Sequence, residues 1–575
     1  MIESGALDGQ RGNYRLVAPI TTIALPVTVQ SVLAARIDRL GPEDKRLLQS
    51  ASVIGKDFAL ALLGDIADAD VDALQRGLAN LQAAEFIYET RLFPDREYTF
   101  KHALTHDVAY GGLLAERRQL LHANIVEAIE RLQADRLTEY VDRLAYHATR
   151  GALWEKAHAF GVRAGRRAAA QSANRAVLEA FQGALTALEY LPETPRTIAE
   201  NIDLRFELRD AHFVLSEMAP ILPHLEKAQA LAERIGDRER MALAMLYKSG
   251  FHWVRGEHHL AVETSLRGLA AAEELDSWEL RGLAHYRVGT ALLFLGDHIA
   301  AADHLRKSVA TLDHEAGRTL RRFGGLVLAF SASFAAWALA ELGEFVEAET
   351  VGRMGFDLAV QANHAYSMGV ASFGLSHALL RQGQIADAIN VLERGYEQIK
   401  LHNVEALFDQ VLSRLCYAYA KAGRGEEARA IGPSEIADLS FVSSTHFLLA
   451  AIGIQSDRIE LTLRQTREAH QRANLRGERG NVAWMEHLFG DIAMSDSSPE
   501  LSAAEKHYRT AAAIADELSM RPLLVECRLG LGAVALRAGR ENEARSQFQS
   551  ALMMVEDMGI KSAVARARGY CKRPE

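Results

Sequence analysis

The sequence of 575 residues contains little cysteine, little proline and few aromatic residues. Its three cysteines, Cys416, Cys527 and Cys571, lie far apart and match no metal-ligand or disulfide spacing, which is typical of a reducing compartment. With 12 prolines and 7% aromatic residues, the composition disfavours a β-sandwich and favours many helices. It therefore predicts an all-α protein of the cytoplasm.

The sequence also lacks long apolar runs and an excess of positive charge. No stretch reaches about 18 uninterrupted apolar residues, and the N-terminal segment holds Glu3 and Asp8 without a basic region, so we expect neither a membrane-spanning helix nor a signal peptide. The 65 basic and 75 acidic residues give a formal net charge of −10. Such a chain has no overall field that attracts nucleic acid or anionic membranes, and we expect neither as a partner.

The motifs of nucleotide chemistry are missing as well. A P-loop needs a glycine-rich turn followed by Lys and Ser or Thr, but the Gly55-Lys56 pair is followed by Asp57 and has Ser50 where the first glycine should be. We find neither a strand that ends in consecutive acids nor the paired aspartates of a nucleotide cyclase. The sequence therefore predicts no enzymatic activity, no catalytic residue, no metal site and no cofactor held by this chain.

A short phrase recurs along the chain: a glycine followed by an alanine five positions later. Successive glycines of these phrases are separated by 40, 47, 40, 40 and 116 residues, the last close to three further units of about 39. Each unit predicts two amphipathic helices, such as Phe334–Leu342 and Phe345–Ala359. The glycine would end the first helix in a left-handed conformation, and the alanine would let the second helix approach closely. The pairs are Gly256/Ala261, Gly296/Ala301, Gly343/Ala348, Gly383/Ala388, Gly423/Ala428 and Gly539/Ala544.

These phrases resemble the tetratricopeptide repeat in its longer form. Degenerate units continue upstream, so the predicted array covers residues 141–575. The resemblance implies a right-handed superhelix whose concave face, formed mainly by the first helix of each pair, binds a protein or peptide. Because repeats of this kind contact mainly their neighbours, we expect damage to one unit to stay local. Some of the candidate partner contacts are expected to lie in the core, above all Trp337, because its neighbours Phe334, Ala338 and Leu339 are apolar. The candidates on the first helices are Tyr247, His252, Tyr286, Arg287, Trp337, His377, Arg414 and Tyr417.

Residues 26–100 have a different pattern. The segments Thr28–Leu40, Pro42–Ile54 and Asp70–Ala84 are helical by periodicity, and Phe86–Glu89 and Tyr98–Phe100 are typical of short strands. Three helices followed by a strand pair predict a small winged-helix domain, which residues 101–140 would connect to the array as helices. Glycines at positions 5, 9 and 12 predict a hairpin near the N-terminus.

The segments LPVTVQSVLAARIDRLGPEDKRLLQSASVIGKDF and YTFKHALTHDVAYGGLLAERRQLLHANIVEAIE resemble the winged-helix region of bacterial STAND ATPases, of the kind often fused to class III adenylate or guanylate cyclases. The resemblance implies that residues 1–25 are the remnant of the end of an ATPase module. It also implies a signalling scaffold similar to a STAND sensor arm. ATP or ADP would then act only through an ATPase module supplied upstream or on another chain. The alternative is that the chain is the C-terminal half of such a nucleotide-dependent, cyclase-linked regulator.

His102 is a candidate nucleotide sensor within this resemblance. In related switches a histidine of a Met-His-Asp signature contacts the β-phosphate of ADP, but here Lys101 precedes His102 and Ala103 follows it. Two interpretations stay open: a vestigial sensor, or a structural capping residue. His102 and His106 are one helical turn apart, but without a third ligand they do not predict a metal site.

Overall fold

The computed structural model describes residues 7–10, 13–16, 27–67, 69–91, 96–431, 459–495 and 499–559. Contacts divide the chain into two compact units, Met1–Arg167 with Glu179–Pro192, and Ala168–Leu178 with Glu193–Glu575. Helices predominate in both units, so the prediction of an all-α protein built from helix pairs is confirmed. Within the described ranges, no helix combines the length and the apolar character needed to cross a membrane.

The first unit opens with an antiparallel strand pair and continues as helices around a small sheet. Strands β1 (Leu7–Gln10) and β2 (Asn13–Leu16) form the hairpin that the early glycines predict. Most of residues 1–25 lie outside the described residues, and their origin as an ATPase remnant stays a prediction. The further elements are α1 (Val27–Asp38), α2 (Pro42–Ile54), β3 (Asp57–Ala59), α3 (Leu60–Ile66), α4 (Val71–Ala83), β4 (Ile87–Arg91), β5 (Glu97–Phe100), α5 (Ala103–Gly111), α6 (Ala115–Leu132), a 3-10 turn (Ala134–Glu139) and α7 (Val141–Arg150).

The sheet of the first unit has the strand order β3-β5-β4, with both pairs antiparallel. Strands β4 and β5 are the two predicted ones, whereas β3 and α3 are too short to give a periodic signal in the sequence. Phe58 of β3 packs against Tyr98 and Phe100 of β5, with ring centroids 5.9 and 5.8 Å apart. These contacts join the sheet to the apolar core beneath it.

The second unit is a stack of helix pairs. In each pair the second helix packs on the first helix of its own pair and, for most pairs, on the first helix of the next. Helices α8 (Trp154–Ala170) and α9 (Asn174–Leu188) belong partly to each unit. Helix α23 (Ile459–Arg476) is the second helix of a pair whose preceding residues, 432–458, are not among the described ones. The described pairs are α10 (Pro195–Val214) with α11 (Ile221–Ile235), α12 (Arg238–Val254) with α13 (His258–Glu274), α14 (Trp278–Leu295) with α15 (His298–Leu312), α17 (Val327–Leu342) with α18 (Phe345–Gln361), α19 (Ala365–Gln382) with α20 (Ile385–Leu401), α21 (Phe408–Lys421) with α22 (Gly425–Ile431), α24 (Arg479–Ser495) with α25 (Leu501–Glu517), and α26 (Arg521–Arg537) with α27 (Glu541–Met558).

The repeated glycines lie at the turn between the two helices of a pair. Each of the six follows a first helix with φ between +74° and +92°, the left-handed region that a residue with a Cβ rarely adopts. The predicted boundary between α17 and α18 agrees with the structure at this turn, although α17 begins upstream at Val327. The six glycines are Gly256, Gly296, Gly343, Gly383, Gly423 and Gly539.

The alanines of the repeated phrase lie in the first turn of each second helix, where that helix meets the first. All six are buried, with exposed fractions of 4% or less. A side chain larger than a methyl group would collide with the facing helix, which explains the preference for alanine. These residues therefore define the helix contact of each repeat and, being buried, offer no surface to a partner. They are Ala261, Ala301, Ala348, Ala388, Ala428 and Ala544.

The stack also folds back on itself. The turn at Gly296 packs against the backbone of Gly480, so that a Cβ at Gly296 would lie 3.0 Å from the Gly480 nitrogen. The turns at Gly256 and Gly343 pack against Arg476 and Met558 in the same way. Helix α14 contacts α24, and α17 contacts α26. The expectation that units contact mainly their neighbours is therefore incomplete, since the last pairs are docked on earlier ones.

One unit contains an insertion that accounts for the glycine spacing of 47 rather than 40. Between α15 and α17 the chain forms α16 (Glu315–Thr319) and a hairpin of β6 (Arg321–Arg322) and β7 (Gly325–Leu326). Phe323 and Gly324 make the two-residue turn with φ of +58° and +85°, as a type I′ turn requires. A positive φ is uncommon for a bulky residue. At Phe323 it accompanies burial of the aromatic side chain.

Candidate functional site

A cavity of about 560 Å³, open solvent at its mouth included, lies among the first helices of six consecutive pairs, α10 to α21. Three lining residues come from linking segments: Phe323 from the inserted hairpin, and Ala406 and Leu407 from the 3-10 turn (Glu405–Leu407) before α21. The complete lining is Phe213, Trp253, Tyr286, Arg287, Phe294, Phe323, Phe330, Phe334, Trp337, Tyr366, Val370, Phe373, Ala406, Leu407 and Gln410.

Five rings form what we call the aromatic wall: Trp253, Phe294, Phe334, Trp337 and Phe373. Trp253 and Phe294 stand nearly perpendicular, with centroids 5.2 Å apart, and Phe294 meets Trp337 at 5.6 Å. Phe334 and Phe373 are also edge to face, at 5.6 Å. Such edge-to-face packing fixes the rings, and an aromatic lining of this kind suits a planar or branched apolar group.

Arg287 brings a positive charge to this apolar cavity. It lies on α14 with only 5% of the residue exposed. Its guanidinium carbon is 3.7 Å from the centroid of Phe323 and 5.0 Å from that of Tyr286. On another side it lies against Gly250, where a Cβ would come within 2.8 Å of the guanidinium. Phe323 and Gly250 therefore fix the position of the cation by close packing and a cation–π contact.

No described residue forms a hydrogen bond or an ion pair with the Arg287 guanidinium. Burial lowers the pKa of Arg287, while nearby groups such as Tyr286 raise it. The guanidinium nevertheless stays charged at neutral pH, because arginine starts from a pKa above about 12. Asp210 favours that charge from beyond ion-pair distance. Its Oδ1 accepts a hydrogen bond from Arg209 at 2.8 Å and its Oδ2 accepts one from the Tyr247 hydroxyl at 3.2 Å.

A second buried arginine supports the aromatic wall from behind. The Arg414 guanidinium carbon lies 4.9 Å from the Trp337 centroid and 5.4 Å from that of Phe373. Arg414 donates to the backbone oxygen and to Oε1 of Gln410, at 3.0 and 3.1 Å. Gln410 lines the cavity, so this pair links the cavity surface to the buried charges beneath it.

These charges centre on Glu341, which is 2% exposed. Its Oε1 accepts a hydrogen bond from His377 Nε2 at 2.7 Å, and its Oε2 accepts one from Trp484 Nε1 at 3.0 Å. Arg381 Nε lies 3.6 Å from Oε1, and the Arg381 guanidinium covers the Trp484 ring at 3.4 Å from its centroid. Trp484 belongs to α24, so the Glu341 network connects the last pairs to the helices that carry the aromatic wall.

Burial opposes ionisation of Glu341, but the charge of Arg381 and the hydrogen bond from His377 hold its pKa below the ordinary range. Burial lowers the pKa of His377 to about 3, despite the opposing hydrogen bond and charge of Glu341. His377 is thus neutral and donates, and Glu341 is a carboxylate with Arg381 as its counter-charge. A second link of this kind joins His258 Nε2 to Glu478 Oε1 at 3.0 Å.

The structure sorts the predicted partner contacts into two groups. Tyr286, Arg287 and Trp337 line the cavity. Trp337 is also buried in the apolar core, so the expectation that it belongs to the core is confirmed. Tyr247, His377 and Arg414 are 1% exposed or less, so we correct their expected role: they support the walls and present no surface to a partner. His252 is partly exposed and bonds to Glu257 at 2.7 Å, and Tyr417 is partly buried near Lys421. Partner contact by His252 and Tyr417 stays a prediction.

His102 lies in the first unit at the start of α5. Its backbone occupies the N-cap position, where its carbonyl oxygen accepts from the Thr105 and His106 amides, and its exposed side chain makes no capping hydrogen bond. The nucleotide-sensor interpretation stays a prediction. His106, one turn later, bonds to its neighbour Asp107 at 3.0 Å. Within the described ranges, no three or more His, Cys, Asp or Glu side chains are grouped so as to hold a metal ion.

Sequence reasoning missed two features of the cavity. Phe323 is in the insertion, and the glycine spacing of 47 among spacings of 40 was the signal that an additional element is present. Trp253 and Phe294 precede their repeat glycines by two or three positions, where the first helix ends. Their nearly equivalent positions in successive units, three and two residues before the glycine, could have placed them on one side of the stack.

No family model matches the chain, and neither does any curated protein. Among solved structures, it is similar to a Rap protein complexed with competence and sporulation factor, at 10% identity and a TM-score of 0.40, over 70% of this chain and 99% of that one. A STAND protein with a tetratricopeptide repeat sensor from Pyrococcus horikoshii shares 12% identity at a TM-score of 0.33, over 71% of this chain and 65% of its own. Yeast Tom70 shares 11% identity at a TM-score of 0.30, over 80% of this chain and 96% of that one. Likeness at this level carries no argument about ligand or activity.

Proposed function

We propose that this protein is a non-enzymatic binding scaffold whose helical repeats hold a peptide or protein segment on the first-helix side of the stack. One observation carries the proposal: the cavity is lined almost entirely by first helices, one after another from α10 to α21. A continuous row of helices offers an extended contact surface, and a cavity within that row offers a place where one side chain can anchor.

The chemistry of the aromatic wall supports an apolar anchor. Buried aromatic pockets contribute much of the affinity of peptide recognition, because one large apolar group loses its contact with water on entry. We therefore propose that an aromatic or branched apolar side chain of the partner enters beside Trp253 and Trp337.

We also propose that the first unit relays the bound state, as a winged-helix region similar to that of STAND proteins. The order α2, β3, α3, α4, β4, β5, with a sheet in the order β3-β5-β4, supports this interpretation. The absence of a P-loop from the sequence supports a role without nucleotide hydrolysis, and ATP or ADP would enter only through another module or chain.

The test is binding of a library of short random peptides to the immobilised intact chain and to Ala406→Trp. Ala406 is half-buried at the cavity lining, so an indole there fills the space that the anchor would use. Ala270→Trp is the matched control, because Ala270 is exposed on the second helix α13. We expect the library to yield peptides rich in aromatic or branched residues that bind the parent and Ala270→Trp equally and Ala406→Trp at least about tenfold more weakly.

Circular dichroism and a thermal melt establish that Ala406→Trp is folded. Selected peptides that bind a folded Ala406→Trp protein as tightly as the parent would contradict the proposal. They would place the binding surface elsewhere on the chain.

A further inference from the structure

The feature that the proposed function leaves unused is the charge of Arg287. The cavity needs no cation to hold an apolar side chain, and burying an unpaired charge opposes folding. Yet Arg287 is 95% buried, and no described side chain or backbone group accepts a hydrogen bond from it. No acid of the described chain therefore lies within ion-pair distance of this charge, and no described carbonyl accepts a hydrogen bond from it.

The surroundings of Arg287 hold it in one position. The close approach to Gly250 leaves no room for a side chain there, and the Phe323 ring that covers the guanidinium is held by a turn with positive φ. Backbone strain of this kind persists where the surrounding structure requires it, and it concentrates at binding sites. The insertion that supplies Phe323 thus adds a support for a cation in a unit that is otherwise a regular repeat.

The other arginines beside this part of the cavity already have counter-charges. Arg209 lies over the Phe213 ring and is paired with Asp210 at 2.8 Å. Arg322, next to Phe323, is paired with Glu279 at 2.9 Å. Arg287 thus brings one positive charge without an ion-pair partner to this part of the cavity, which matches a monoanion better than a phosphate dianion. A planar carboxylate also fits the two parallel N–H donors of a guanidinium.

We propose that the cavity binds an apolar group that carries a carboxylate, with the carboxylate on Arg287 and the apolar part against the aromatic wall. This inference rests on the proposed function and names the chemistry of its anchor. The carboxylate has two possible sources. It is the C-terminus of a peptide that ends in an apolar residue, or it belongs to a free aromatic acid.

Four probes distinguish the two sources of the carboxylate and measure the contribution of its charge. They are a tetrapeptide that ends in phenylalanine, the same peptide as its C-terminal amide, 3-phenylpropanoate and 3-phenylpropanamide, measured by calorimetry on the full chain. We expect each acid that binds to do so at least about tenfold more tightly than its amide, a difference of about 1.4 kcal/mol. A preference limited to the peptide pair identifies a chain terminus as the source, and a preference of equal size in the small pair identifies a free acid; both support the proposal.

Two variants test whether Arg287 is the group that binds the carboxylate. Arg287→Met keeps the volume of the side chain and removes its charge, and we expect it to abolish the preference for acid over amide. Arg281→Met on the same helix is the matched control, because Arg281 pairs with Asp276 at the start of α14. We expect Arg281→Met to keep the preference. We expect Arg287→Met without ligand to melt no lower than the parent, since it loses a buried charge that forms no ion pair or hydrogen bond with a described residue.

Equal binding of acid and amide, or a preference that survives in Arg287→Met, would overturn this inference. If Ala406→Trp then still blocks both forms, the proposed function stands and only the carboxylate is wrong. If no probe binds, or if Ala406→Trp leaves probe binding unchanged, the assignment of the cavity as the anchor site fails and the carboxylate fails with it.

Discussion

Replacing Glu341 by glutamine tests whether the folded-back pairs and the cavity helices are one energetic unit. The change keeps the shape of the side chain and an oxygen that can accept from Trp484, but it removes the counter-charge of buried Arg381. Breaking a buried ion pair by removing one partner costs about 3–5 kcal/mol. Because Glu526 also favours the charge of Arg381, we expect the lower end, about 3 kcal/mol.

The matched control is Glu347→Gln, only six positions along the chain. Glu347 pairs with Arg306, but the two side chains are 48% and 41% exposed, and such surface pairs contribute about 0–1 kcal/mol. Both variants lose one negative charge, so they change the net charge of the chain equally. A difference in stability between the two variants then reflects the burial of the Glu341–Arg381 pair and not a change in net charge.

Hydrogen exchange read by mass spectrometry is the suitable assay, because a chain of two compact units need not unfold in one step. At neutral pH we expect Glu341→Gln to lower the protection of slow amides about a hundredfold in both α17 and α24, as about 3 kcal/mol implies. The reasoning is refuted if Glu341→Gln behaves like Glu347→Gln. It is refuted equally if α17 loses protection while α24, which carries Trp484, keeps it.

The packing, the buried histidines and the missing motifs each allow a further prediction. Ala388→Leu overpacks a fully buried helix contact and should destabilise the chain by about 1–3 kcal/mol in urea unfolding, whereas the exposed Ala270→Leu should leave the midpoint unchanged; equal midpoints would contradict the repeat alignment. Burial lowers the pKa of His122 to about 4 and of His147 to about 3, so the unfolded first unit binds more protons than the folded one below about pH 6.5. Stability should therefore be complete above that pH and fall as pH decreases, by up to about 1.4 kcal/mol per pH unit for each histidine, and His122→Asn should flatten the curve of melting temperature against pH. The purified chain should not hydrolyse or cyclise ATP or GTP, and turnover that persists through rigorous purification would count against a non-enzymatic scaffold.

The sequence predicts the repeat architecture well because its signal is local. A glycine at φ of +82° and a buried alanine five residues later both follow from the geometry of one turn, so Gly343 and Ala348 predict the α17–α18 pair without knowledge of the rest of the chain. The two strands around Tyr88 and Tyr98 are predictable for the same reason, since alternation within a few residues defines them.

The cavity depends on contacts that no local pattern contains. The sequence correctly places Arg414 and His377 on first helices. It gives no sign that Trp484, which lies more than a hundred residues after His377, packs on the Glu341 network. Polar residues on a repeat helix look like surface residues until a distant segment buries them. The same limit applies to Arg287, whose environment depends on Phe323 in an insertion that breaks the repeat period.

The bond between His258 and Glu478 joins residues 220 positions apart, so it cannot form until most of the chain has left the ribosome. At about 5–20 residues per second, the earlier helix pairs wait on the order of ten seconds or more for the helices that cover their glycine turns. During that interval the histidine and the apolar surface around it are exposed to other chains. An ordinary solenoid can fold from its first repeat onward, whereas this one completes its structure only when its last repeats are synthesised.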